Sequence, residues 1–177
     1  MKILKFEKLE STQKIAKKLA REGEKPWTII LAKEQEGGYG RKGDFWHSPK
    51  GGLYFSIILP KSKIENLQIL NFLAAFCVAK ILKENFKLEP FLKLPNDIFV
   101  NGKKICGILT ENVIFGNLKY SVMGIGLNTN IDKFPRDLEK KATSIKIELK
   151  KEINNEEILK EIIKGLKEIF VILTQTR

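Results

Sequence analysis

The chain carries two strand-length apolar runs, Trp27-Thr28-Ile29-Ile30-Leu31-Ala32 and Leu53-Tyr54-Phe55-Ser56-Ile57-Ile58-Leu59. Between them lies Gln35-Glu36-Gly37-Gly38-Tyr39-Gly40-Arg41-Lys42-Gly43-Asp44-Phe45-Trp46. Continuous apolar runs rich in β-branched and aromatic residues read as buried strands. The fold is therefore expected to contain a sheet with this loop joining two of its strands. Gly38, Gly40 and Gly43 are interleaved with Arg41 and Lys42. Backbone N–H groups can wrap an anion there while the side chains supply charge. The stretch is not a P-loop: it lacks the Gly-Lys-Ser/Thr ending, and no helix pattern follows it directly. Taken alone, it reads nearly as well as a solvated hairpin loop.

The remaining periodicities fill in an α+β domain. Residues 3–8 read as a short strand. Ser11 is an expected N-cap for a helix over 12–22, with Ile15, Ala16 and Leu19 on one face and Gly23 as its stop. Asn66 to Asn85 shows a helical pattern whose apolar face is Leu67, Leu70, Ala74, Cys77, Val78 and Ile81. Phe91 to Leu94 reads as a strand ended by Pro95. Ile98-Phe99-Val100, Asn101-Gly102 and Lys103 onward predict a hairpin, since Asn-Gly suits a type I′ turn. A second turn is expected at Gly116-Asn117, between strands at 108–113 and 119–127. Asn154 to Leu173 predicts an amphipathic helix on Ile158, Ile162, Leu166, Ile169 and Phe170. Hairpins dominate, so the expected sheet is mainly antiparallel or mixed, with helices on one face.

At 177 residues the chain fits one domain with a sizeable core, and 43% hydrophobic with 30% charged residues is a globular balance. The net charge of +11 leaves nucleic acid or an acidic protein as possible partners. The lysines are scattered along the chain, which also fits a solvated face. Cys77 and Cys106 sit in apolar contexts and read as reduced, buried thiols. They lack Cys-x-x-Cys spacing, and His47 is the only histidine, so a zinc site is not expected. The N-terminus lacks the apolar core of a signal peptide, and no apolar stretch is long enough to span a bilayer. A cytoplasmic protein without membrane association is the expectation.

Three later segments complete a series. They are Lys93-Leu94-Pro95-Asn96-Asp97, Lys103-Lys104-Ile105-Cys106-Gly107-Ile108-Leu109 and Gly124-Ile125-Gly126-Leu127-Asn128-Thr129-Asn130. Ser11-Thr12-Gln13 opens the series and the glycine loop is its second member. In order and spacing, these five motifs resemble the catalytic domain of biotin protein ligases (biotin–[acetyl-CoA carboxylase] ligases). Ala142-Thr143-Ser144-Ile145 resembles a further element of that family, so the resemblance runs from Ser11 to about Ser144. Three positions depart from the family pattern: Tyr39 and Asp44 stand where arginine is usual, and Leu94 stands where tryptophan is usual.

The resemblance implies the class II synthetase-like fold shared by biotin and lipoate ligases, and a two-step reaction using ATP and Mg²⁺. Biotin is first converted to biotinyl-5′-AMP. The biotinyl group then passes to a lysine on the biotin carrier domain of a biotin-dependent carboxylase. Lys104, on residue pattern alone an exposed strand lysine beside Lys103, becomes the expected central cation between the biotin carboxyl and the α-phosphate. Gly107 lets backbone or ligand approach closely. Arg41, with Lys42 and the Gly40 and Gly43 backbone, is expected to hold phosphate. Ser11, Thr12 and Gln35 match biotin-ureido contacts, whose one carbonyl and two N–H groups suit neutral polar side chains. Gly38, Tyr39 and Trp46 join that biotin set, Tyr39 through its ring or backbone N–H and Trp46 as apolar wall beside Leu53 and Tyr54. Lys93 and Asn96 are expected at the adenylate, as is Asn128. Asp97 is expected either to orient Lys104, to hold a metal-bound water or to position the incoming lysine. The metal ligands stay unassigned.

The resemblance further implies a single catalytic domain over 1–177, with neither the N-terminal helix-turn-helix nor the C-terminal barrel of some relatives. No nucleic-acid partner is expected, and a homodimer is allowed. Two other readings stand beside it. A lipoate–protein ligase shares the fold and the adenylate chemistry, but Lys-x-Pro-Asn-Asp favours biotin. A basic nucleic-acid-binding module would need basic and aromatic residues on one face, whereas these motifs gather at a loop and at strand ends.

Overall fold

A computed structural model describes residues 2–60, 66–115 and 118–175. Its strands are β1 (Ile3–Phe6), β2 (Ile29–Ala32), β3 (Leu53–Leu59), β4 (Phe91–Lys93), β5 (Asp97–Val100), β6 (Lys103–Phe115) and β7 (Leu118–Leu127). Its helices are α1 (Thr12–Arg21), α2 (Leu67–Phe86), α3 (Arg136–Glu139), α4 (Ile145–Leu149) and α5 (Asn155–Gln175). The strands hydrogen-bond in the order β1-β2-β3-β7-β6-β5-β4. β1 and β2 are parallel, whereas β2 with β3, β4 with β5 and β5 with β6 are antiparallel, so the sheet is mixed. A parallel neighbour needs a crossover, and α1 lies in the connection between β1 and β2. The α+β class and mixed sheet expected from the sequence are what the chain adopts. Two compact units form, residues 1–61 with 108–126 and residues 62–107 with 127–177.

In the first unit, α1 packs on β2 and β3. Ala16, Ala20, Ile30, Ile58, Val113 and Val122 form a core cluster, flanked by Leu9, Ile15, Leu19 and Tyr120. Alanines at positions 16 and 20 let the helix approach the sheet closely. Ser11 caps α1 by accepting from the Lys14 N–H, and the helix ends where Gly23 turns to φ +83°. β3 is buried along its whole length. The run from Trp27 is shorter as a strand than its composition suggests. Trp27 itself adopts φ +63°, and pairing starts at Ile29.

In the second unit, α2 packs against α5 and on β4 and β5. The Cys77 thiol contacts the Ile162 carbonyl at 3.9 Å, and a side chain at Gly165 would lie 2.5 Å from that sulfur. Glycine at 165 therefore sets how near the two helices come. Burial pushes the Cys77 pKa up to about 11, so this thiol stays protonated and structural. The buried face of α2 is wider than predicted. It includes Asn71, Ala75, Ala79 and Leu82, while Ile81 and Leu67 are only partly covered. The hairpin at Asn101-Gly102 forms with φ +50° and +74°, the two left-handed residues of a type I′ turn. The turn expected at Gly116-Asn117 lies outside the described residues.

Candidate functional site

The predicted site residues fall into two groups, one in each unit. In the first, a chain of neutral hydrogen bonds runs through the start of α1. The Thr12 N–H donates to Gln35 Oε1 at 2.8 Å, and Gln35 Nε2 donates to Ser48 Oγ at 2.9 Å. Ser48 in turn donates to the Trp46 carbonyl. On the other side, Thr12 Oγ1 lies 2.9 Å from Ser56 Oγ, which donates to Gln13 Oε1. Gln13 Nε2 then donates to the Val122 carbonyl at 3.1 Å. Ser11, Thr12, Gln13, Ser48 and Ser56 are all buried. Buried polar groups persist only where they are paired, so this is a fixed polar array rather than a solvated surface. Three glycines make room for it. A Cβ at Gly38 would sit 2.7 Å from Ser48 Oγ, one at Gly124 2.7 Å from Gln13 Oε1, and one at Gly126 2.4 Å from the Trp46 indole nitrogen.

The glycine loop is a narrow hairpin. Gln35 bridges Ser48 and Tyr39 bridges Phe45. The Trp46 N–H donates to the Gly38 carbonyl and the Gly40 N–H to the Asp44 carbonyl, each at 2.8 Å. Arg41–Gly43 form one 3-10 turn at the tip, with Lys42 at φ +60° and Gly43 at φ +81°. Arg41, Lys42, Gly43, Asp44 and Phe45 are exposed there. The Tyr39 hydroxyl donates to Glu111 Oε2 at 2.9 Å, and Lys17 Nζ lies 5.5 Å from its ring centroid. Tyr54 and Leu53, expected as possible ligand wall, are fully buried in the core.

The second group gathers on β4, β5 and β6. Lys104 Nζ lies 2.8 Å from Asp97 Oδ1, and Asn96 Nδ2 donates to the same oxygen at 2.9 Å. Lys93 opposes Asp97 in register, and its ammonium lies 5.5 Å from the Phe99 ring centroid. Gly107 opposes Asp97 across β5 and β6. The register shifts between Ile98, which pairs Cys106, and Phe99, which pairs Lys104. Ile105 is the extra residue, and the two consecutive residues Ile105 and Cys106 are both buried instead of alternating. The backbone of Lys104 is held on its other side too. Its N–H donates to the Lys141 carbonyl at 2.8 Å, and its carbonyl accepts from Thr143 at 3.0 Å. Lys104 thus presents a cation from backbone fixed on both sides. Burial pushes the Cys106 thiol far up, which removes it as a nucleophile. Asn128 is buried. Its N–H donates to the Ile105 carbonyl and its Nδ2 to the Thr143 carbonyl, whereas its Oδ1 is buried with no hydrogen-bond partner among the described residues.

A sequence model of the Biotin/lipoate A/B protein ligase family matches residues 5–128. The chain belongs to this family. It is 35% identical over 160 residues to the bifunctional ligase/repressor BirA of Bacillus subtilis, covering 88% of this chain and 49% of that protein. It is 33% identical over 105 residues to the biotin–[acetyl-CoA-carboxylase] ligase of Paracoccus denitrificans, covering 56% of this chain and 43% of that protein. The chain spans about half the length of the first of these relatives. Among solved structures, it is similar to the biotin protein ligase from Aquifex aeolicus in complex with biotin and ATP. There the TM-score is 0.84 at 30% identity, over 94% of this chain and 69% of that one. It is also similar to the Leishmania major biotin protein ligase in complex with biotinyl-5-AMP, with TM-score 0.81, 26% identity, and coverage of 98% and 76%.

Several residues of the first unit were not singled out from the sequence as site residues. Ser56 could have been, since it is the one hydroxyl residue in an otherwise apolar seven-residue strand except for the Tyr54 phenol. Gln13 sits inside the Ser-Thr-Gln motif. Ser48 and the Lys17–Glu111 pair carry no such signal, because their roles depend on contacts across long sequence separations.

Proposed function

We propose that this chain activates biotin with ATP and transfers the biotinyl group to a lysine of a carboxylase's biotin carrier domain. The observation that carries the reading is Lys104, an ammonium on doubly anchored backbone at the family's Lys-x-x-Gly position, held 2.8 Å from Asp97. In the first step a biotin carboxylate oxygen attacks the α-phosphorus of ATP. The bond from that phosphorus to the bridging oxygen breaks, and pyrophosphate leaves. Negative charges converge, so a preorganised cation lowers the barrier far more than it aids ground-state binding. Lys104 is assigned that role, and the contact with Asp97 supports reading Asp97 as the group that orients it. Arg41 and Lys42, exposed at the loop tip, are assigned to phosphate. Lys93, Asn96 and Asn128 are assigned to the adenylate, Asn128 through its unpaired Oδ1.

In the second step an acceptor lysine amine attacks the carbonyl carbon of the mixed anhydride. The carbonyl carbon–oxygen bond to AMP breaks, and the amine gives up a proton. The residues present fit Mg²⁺ only as a nucleotide-borne ion. No three metal-ligating side chains cluster among the described residues, and Asp97 and Asn128 are the nearby oxygen donors of the kind it takes. When bound, such an ion would offset phosphate charge.

The array of Ser11, Thr12, Gln13, Gln35, Ser48 and Ser56 favours biotin over lipoate. A ureido ring can exchange hydrogen bonds with such neutral donors and acceptors, whereas a dithiolane has no N–H or carbonyl to offer them. The charge of +11 favours an acidic carrier domain as acceptor, with a cytoplasmic location and a homodimer compatible with that role. Among the described residues no helix is long and apolar enough to cross a membrane. Calorimetry with biotin, lipoate and a short oligonucleotide tests the assignment: binding of biotin alone is expected. Preference for lipoate or for the oligonucleotide would overturn it.

A further inference from the structure

Tyr39 stands where the family usually has arginine, and its surroundings give it a different task. It lies between Gly38 and Gly40, at the rung of the glycine hairpin just before the Arg41–Gly43 turn. The backbone bonds on either side of that rung are Trp46 N–H to Gly38 and Gly40 N–H to Asp44. Beyond them the tip is exposed, so the hairpin's own backbone gives it few contacts with the rest of the unit. The phenol supplies one. Its hydroxyl donates to one oxygen of Glu111 on β6, and the other oxygen takes the Lys17 ammonium at 2.9 Å. Lys17 also sits over the Tyr39 ring, 5.5 Å from the centroid, which closes a triangle of three mutually satisfied groups.

We propose that Lys17 and Glu111, acting through Tyr39, are positioning residues that latch the glycine loop in its hairpin conformation for its ligand. The ligand part of this rests on the biotin-activating reading above. Both anchors belong to regular elements. Lys17 is on α1, the helix whose first turn carries Ser11, Thr12 and Gln13, and Glu111 is in the body of β6. The loop is thereby referenced to the same helix as the neutral array.

The protonation states suit the role. Burial works against charge on Glu111, but hydrogen bonds from Lys17, Gln13 and Tyr39 outweigh it and hold its carboxyl below the usual value. Burial raises the Tyr39 phenol, and Glu111 adds to that, so the phenol stays a neutral donor. Burial also opposes charge on Lys17, and contacts with Tyr39 and Glu111 overcome it. A charge-assisted hydrogen bond at a part-buried site is worth about one power of ten in an opening equilibrium. Because apparent affinity scales with the fraction of competent loop, loss of the latch lowers ligand affinity by a comparable factor once unlatched loop predominates.

The test compares the wild-type chain with Tyr39→Phe, Glu111→Ala and the double variant. Tyr39→Phe removes only the hydroxyl, so folding is preserved. Hydrogen exchange is followed on peptides covering 36–47 and, as a reference, β3. Biotin affinity is measured by calorimetry. The expected result is roughly tenfold faster exchange in the loop peptide of either single variant, with β3 unchanged. Biotin affinity falls in the same variants, turnover at saturating biotin falls less, and the double variant is no worse than the more affected single one. Unchanged loop exchange overturns the latch, as does equal acceleration in β3 or full additivity in the double variant. Faster loop exchange with unaltered biotin affinity overturns the positioning role. If the wild-type chain itself does not bind biotin, the functional reading fails, and loop exchange alone decides the latch.

Discussion

Replacing Lys104 by alanine separates chemistry from architecture. The side chain is 30% exposed and its partner Asp97 22% exposed, so the ion pair is partly screened. Its loss costs about 1 kcal/mol of stability, at the upper end for such pairs, because Asp97 keeps Asn96 as a donor. For a chain of this size that lowers Tm by roughly 2–4 °C. The strand stays in place, since the backbone bonds from residue 104 to Lys141 and Thr143 do not involve the side chain. The chemical step suffers far more. One preorganised group aimed at developing charge is worth about two to three powers of ten in turnover. Biotin-dependent exchange of pyrophosphate into ATP should therefore fall by that factor, while biotin binding survives. Lys103→Ala is the control: Lys103 Nζ bonds the Glu139 carbonyl at the surface, and its loss should leave exchange intact. Near-normal exchange in Lys104→Ala would refute the assignment. So would a Tm loss large enough to account for the missing activity.

Three further outcomes are expected. In Gly124→Ala the new methyl would lie 2.7 Å from Gln13 Oε1 and 3.3 Å from Ser56 Oγ, so Gln13 must swing away. With one or two bonds of the neutral array lost, biotin affinity should fall about tenfold by calorimetry, and unaltered affinity would detach the array from ligand binding. Rising salt should slow second-order transfer to an acidic carrier domain, because screening shortens electrostatic reach to about 10 Å at 0.1 M. Single-turnover adenylate synthesis should change little, and a transfer rate flat in salt would show that the surface charge does not steer. Glu111 has its pKa lowered from 4.5 on folding, so its contribution to stability is present above that value and is lost as pH falls through the lower folded value. Acid unfolding of Glu111→Gln should then show less loss of stability over that window than wild type, and identical acid profiles would contradict the shift.

Much of this fold was legible because its signals are local. The Asn101-Gly102 turn, the Ser11 cap and the apolar periodicity of α5 each follow from short-range stereochemistry. The site motifs were legible as residues, and their grouping followed them. Lys93, Asn96, Asp97, Lys104 and Gly107 meet because a three-residue strand, a three-residue turn over 94–96 and the Asn101-Gly102 hairpin bring them to adjacent strands. What escaped was non-local. The bulge at Ile105, the stitching of Lys104 to residues 141–143 and the Tyr39–Glu111 contact join positions 37 to 72 residues apart, or depend on register that no short pattern encodes. Trp27 began an apolar run but not a strand, since its left-handed backbone turns the chain just before pairing begins.

If this chain makes an acyl-adenylate from biotin, the reversal of that step is measurable. Its most direct measurement is exchange of labelled pyrophosphate into ATP by the wild-type chain, with biotin, with lipoate and with no acid added. Exchange should require biotin, since only reversible attack of the biotin carboxylate on the α-phosphorus can return pyrophosphate to ATP. Exchange with lipoate and none with biotin, or exchange indifferent to any acid, would contradict it.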